Sequence, residues 1–112
     1  MNSRNKGKEG ERQLAKKLQT FGYNTRRGQQ YCGIEGSADV VGIDGLHIEC
    51  KRTQQVRDEV FLKQAERDAK EGEIPVVMYR RNHEEWKVIM RLEEFMPIYK
   101  SYLQNRIKSD FE

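Results

Sequence analysis

No stretch of this chain is apolar over anything near the roughly 20 residues that a membrane crossing requires. Its first twelve residues, MNSRNKGKEGER, hold no hydrophobic core for a secretory signal, so the expected location is the cytoplasm. Cysteine is scarce: Cys32 and Cys50 are too few for a disulfide framework. A zinc site would have to recruit His47 or His83, and the spacings fit no zinc pattern. His47 and Cys50, three apart in an expected strand, would point to opposite faces, which leaves the cysteines a structural role. Repeats, low-complexity tracts and linkers are also missing. The expectation is one domain over residues 1–112, a length close to the commonest domain size.

What the chain has in quantity is charge, 35% of its residues against 36% hydrophobic. The signs are mixed and apolar residues recur throughout, which argues against wholesale disorder. The net charge of +3 is unevenly placed: residues 1–52 carry ten Lys/Arg against six Asp/Glu, and residues 53–112 carry eleven against twelve. A basic first half, with pairs at Lys16-Lys17, Arg26-Arg27 and Lys51-Arg52, suits either a nucleic-acid partner or an ordinary solvated surface.

Spacing predicts the elements. Residues 7–21 repeat apolar positions at helical intervals through Leu14, Ala15, Leu18 and Phe21, with Gly22 as the stop. A short strand is expected over 23–27 and a glycine-rich loop over 28–37. Two strands, ADVVGI and LHIECK, are joined at Asp44-Gly45, a hairpin turn signal. A second helix is expected over 57–71, strands over 75–81 and 85–90, and a last helical pattern from Leu92, broken near Pro97 into a short turn and a main helix. The order αβββαββα predicts an α/β (α+β) fold, a central mixed sheet flanked by helices.

Three charged residues crowd the hairpin. In LHIECK, alternation sends Leu46, Ile48 and Cys50 to one face and His47, Glu49 and Lys51 to the other. The antiparallel return brings Asp39 close to that second face. Two carboxylates converging near a lysine can hold a hard cation; a solvated strand face with a Glu–Lys pair is the plainer alternative. On the first helix, Glu11 falls inside the stripe of Leu14 and Leu18. An inward carboxylate needs an ion or a basic group, unless a frayed helix start carries it to solvent. Gln64 likewise falls on the sheet side of the second helix, between Val60 and Phe61. On the last helix, Phe95, Tyr99 and Tyr102 either cover the sheet or meet another subunit.

These residues resemble the PD-(D/E)xK nuclease superfamily, and within it the archaeal-type Holliday junction resolvases. The likeness lies in Lys6-Gly7 with Glu11-Arg12 and Gly22-Tyr23 on the first helix, and in the basic Arg26-Arg27. It continues in Asp39 before one strand, Glu49-Cys50-Lys51 in the next and Gln64-Ala65-Glu66 on a later helix. Ala38 stands where a proline often precedes the aspartate. The resemblance spans residues 6 to 90 and implies a restriction-endonuclease-like core, with 1–112 a single nuclease domain. It implies Mg2+-dependent hydrolysis of DNA, with Mn2+ a possible substitute. Asp39, Glu49 and the backbone carbonyl of Cys50 would hold the metal, and Glu11 a second ion or a metal-bound water. Lys51 would handle the attacking water or the charge on the phosphorus, and Gln64 would position a water or phosphate. Lys6, Lys8, Arg12, Arg26, Arg27 and Arg52 are the implied contacts to DNA. The implied substrate is branched DNA, above all four-way junctions of recombination and repair, cut by a homodimer in the cytoplasm, or the host cytoplasm for a phage enzyme. The alternatives are a relative cutting flaps, single strands or duplex, and a non-catalytic DNA-binding module on the same fold.

Overall fold

The computed structural model describes residues 3–28 and 38–110. Nearly all of the expected loop over 28–37, with Cys32, lies outside the described residues. The elements are α1 (Ser3–Gln19), β1 (Arg26–Arg27), β2 (Val40–Val41), β3 (Leu46–Arg52), α2 (Asp58–Asp68), β4 (Ile74–Arg80), β5 (Lys87–Ile89) and α3 (Leu92–Asp110). Their order is the expected αβββαββα. The strands form one mixed sheet in the order β1-β2-β3-β4-β5. β3 and β4 are parallel, joined across α2, and the remaining pairs are antiparallel.

Alternation along β3 and β4 sorts the core into two layers. Ile48 pairs in register with Val76, and Cys50 with Met78; these positions pack with Val40 against Leu14 and Ala15 of α1. The intervening positions, among them Glu49 opposite Val77 and Lys51 opposite Tyr79, face α2. There Val77 packs with Leu62 and Ala65. Helices α1 and α2 thus cover opposite faces of the sheet, each through its own apolar stripe.

Two glycines permit close approaches near the hairpin. Gly42, at φ +118, passes against the backbone of Asn24 and Thr25, where a Cβ would lie 2.8 Å from Thr25 Cα. Gly10 lets α1 settle on β3, since a Cβ there would meet Arg52 Cγ at 2.6 Å. The buried hydroxyl of Thr25 donates to the Ala15 carbonyl at 2.7 Å and fixes the approach to β1 against the middle of α1.

Three expectations need correction. Pro97 does not break the last helix: α3 runs continuously through it. The proline lies near the helix start, and the Glu93 carbonyl that loses its intrahelical donor belongs to an exposed residue and is solvated instead. The apolar residues of α3 do not cover the sheet, for none of its residues is buried; Leu92 is 65% and Tyr102 60% exposed. Phe21 is not part of the α1 stripe either: the helix ends at Gln19, and Phe21, in the following turn, is 65% exposed.

Candidate active site

Asp39 lies just ahead of β2 and is held to β3 by two bonds. Its backbone N–H donates to the Ile48 carbonyl at 3.0 Å, and its Oδ2 accepts the Cys50 N–H at 2.8 Å. This is the consequence of the Asp44-Gly45 turn: Gly45 takes the left-handed φ of +85 that the turn requires, and the chain doubles back with Val40 opposite Ile48. Asp39 is thereby set beside the strand that carries Glu49 and Lys51.

Glu49 is 1% exposed. Its Oε1 accepts from His47 Nε2 at 3.1 Å, while its Oε2 has no hydrogen-bond partner among the described residues. Burial raises its pKa well above the ordinary carboxylate range, the neighbouring Asp39 adds to the rise, and the His47 bond opposes it. His47 in turn is raised, first by its bond to Glu49. A buried carboxylate with one oxygen unsatisfied is costly. A cation at that oxygen would remove the cost, and carboxylate oxygens such as those of Glu49 and the neighbouring Asp39 are donors that suit a hard ion.

Lys51 follows on the same face of β3. Its Nζ donates to Gln64 Oε1 of α2 at 2.9 Å and lies 5.1 Å over the Phe61 ring, so α2 holds the ammonium at one place. Glu11 of α1 meets Arg27 of β1, Nε to Oε2 at 2.8 Å. Its inward position therefore has a basic partner, and its pKa is raised by burial and by the charge of Asp39, against the pull of Arg27. The Cys50 thiol is raised chiefly by burial, with Asp39, Glu11 and Glu49 adding and Lys51 opposing.

The implied DNA contacts are placed unevenly. Lys6, Arg12 and Arg26 are exposed and Lys8 is half-buried; Arg12 makes only a 3.6 Å surface pair with Glu9. Arg12, Lys16, Arg26 and Arg27 border a cavity of about 390 Å³ between α1 and β1. Arg52 is engaged within the fold, bonding Gln13 at 3.3 Å and both the Arg80 carbonyl and Asn82 at 2.9 Å. Sequence reasoning did not foresee the His47–Glu49 bond, although the two share a strand face, nor the pairing of Arg27 with Glu11. It also gave no role to Asp68 near the end of α2, which with His47 and Glu49 brings one potential ligand atom from each to within 4.8 Å of the others.

A mixed sheet between two helices, with Asp, Glu-x-Lys and a helical Gln converging on its hairpin, defines the PD-(D/E)xK nuclease class. The family described as "Phage putative PDDEXK endonuclease" matches residues 2–111, and the chain belongs to it. The fold is similar to the solved structure of Hjc, a Holliday junction resolvase from the archaeal hyperthermophile Archaeoglobus fulgidus. The two share 23% identity over 76% of this chain and 72% of that one, with a TM-score of 0.57. No curated protein matches. The chain is thus a nuclease of the PD-(D/E)xK type with a resolvase-like fold.

Proposed function

We propose that the protein is a Mg2+-dependent, structure-specific endonuclease that resolves four-way DNA junctions, with residues 1–112 acting as one nuclease domain. The observation that carries the metal reading is the buried, unpartnered Oε2 of Glu49 beside Asp39. Asp39, Glu49 and the Cys50 carbonyl would hold Mg2+, for which Mn2+ can substitute. When bound, the ion polarises the scissile phosphate and makes its bound water more acidic. Lys51, fixed by Gln64, orients that water and offsets charge on the phosphorus as the ammonium, or takes the water's proton as the neutral amine. Gln64 keeps the ammonium on the reaction side of β3. Glu11 steadies a second ion or a water at the rim. Lys6, Lys8, Arg12, Arg26 and Arg27 bind backbone phosphates, contacts that position DNA without reading its sequence; Arg52 shares this role from the end of β3.

Branched DNA as substrate is supported by the likeness to a solved Holliday junction resolvase. A junction has two-fold symmetry and needs two nicks, so its enzyme works as a C2 dimer. The unburied α3 offers a surface for the second copy. Its first turn carries Glu93 and Glu94 and its end Arg106 and Lys108, so an antiparallel pair of α3 helices sets acidic starts against basic ends. As a phage-family nuclease it would act on recombination or repair intermediates in the host cytoplasm.

End-labelled four-way junction, flap and linear duplex, each with Mg2+ or EDTA, test this reading. The expected outcome is paired symmetric nicks near the junction centre, only with metal. Equal cutting of flap or duplex would overturn the junction preference and leave the nuclease; binding without any cutting would overturn the enzyme itself.

A further inference from the structure

His47 has no part in the chemistry just described, yet it is 1% exposed and cannot touch DNA. It stands two residues before Glu49 on the same face of β3, and its Nε2 lies 3.1 Å from Glu49 Oε1. Its Nδ1 is 3.8 Å from Glu73 Oε1, an oxygen itself tied to the Lys70 N–H at 2.8 Å. The imidazole is therefore bonded on the Glu49 side and faces a carboxylate on the other. We propose that His47 is a positioning residue for Glu49: by occupying Oε1 it fixes the carboxylate so that Oε2 is presented to the cation. This rests on the reading of Glu49 as a metal ligand.

The geometry separates this role from two others. As a ligand in a His47, Glu49 and Asp68 set, the imidazole would bind the ion itself, and an amide in its place would lose that ligation whatever its reach. As simple packing, it would not need that nitrogen at all. A buried glutamate has several rotatable bonds, and a single directional partner decides which oxygen faces the metal. Partners of this outer kind typically change metal affinity by about 10–100-fold when removed.

Two amide substitutions distinguish the roles by reach. In His47→Gln the side-chain nitrogen falls where imidazole Nε2 lies and can still donate to Glu49; in His47→Asn it stops short. Mn2+ binding to the full chain without DNA, followed by paramagnetic resonance, gives a readout independent of cleavage, and circular dichroism reports folding. Expected is Mn2+ affinity within a few-fold of wild type for His47→Gln and a loss of about 10–100-fold for folded His47→Asn. Unchanged affinity in both variants would overturn the proposal in favour of packing, and equal loss in both folded variants would overturn it in favour of direct ligation. Should His47→Asn not fold, His47→Gln decides alone, retained affinity supporting the proposal and a tenfold loss overturning it. Glu49→Ala is the control: Mn2+ binding that survives it overturns the metal reading of Glu49 itself.

Discussion

At the scale of single residues, the site consists of charges that each have a defined neighbour. Asp39 is bound to the Cys50 N–H, Glu49 to His47, Lys51 to Gln64 and Glu11 to Arg27. The Lys51–Gln64 bond makes the ammonium part of a rigid array, which is what a positioned proton-transfer group requires. Lys51→Ala is therefore expected to slow single-turnover cleavage by about 10²–10⁴-fold, with DNA affinity changed only a few-fold. Gln64→Ala, which frees Nζ without removing it, should cost less. A Gln64→Ala variant as slow as Lys51→Ala would mean that Gln64 meets the substrate directly. Much of this array could be read in the sequence, because strand alternation fixes which of Leu46 to Lys51 share a face. The partners could not, since the Glu11–Arg27 and Lys51–Gln64 bonds span 16 and 13 residues and depend on how the helices settle.

Among the described elements, periodicity together with turn signals located the helices and strands, while packing decided their ends. The spacing of Leu14, Leu18 and Phe21 is the same helical stripe in sequence, yet Leu14 is 1% and Phe21 65% exposed. The difference arises because Gln19 is the last helical residue and the turn that follows lifts Phe21 away from the sheet. Leu14→Ala should destabilise the protein by about 2–5 kcal/mol, whereas Phe21→Ala should stay within about 0.5 kcal/mol. Urea titration followed by circular dichroism measures both; a costly Phe21→Ala would mean that the turn packs on the fold. Pro97 carries the same lesson, since a helix breaker in sequence is tolerated where the carbonyl it orphans is open to water.

For the whole molecule, α3 is the element whose role composition could not decide. Its apolar positions follow helical spacing as a core helix would, but exposure shows that the sheet is covered without it. Arg91, immediately before it, bonds Glu59 at 2.7 Å and Glu66 at 2.9 Å, both on α2, so the root of α3 is held. Light scattering at micromolar concentration is expected to give a dimer, and Tyr99→Glu with Tyr102→Glu a folded monomer. A wild-type monomer, or a dimer indifferent to both substitutions, would remove α3 from the interface.

The central claim is that Asp39 and Glu49 hold the metal on which cleavage depends. Its most direct test is Glu49→Gln, which keeps the side chain's size and removes its charge, assayed for junction binding and for Mg2+-dependent cutting. The account predicts binding within a few-fold of wild type and no detectable cutting at any Mg2+ concentration. Cutting at close to the wild-type rate would contradict it.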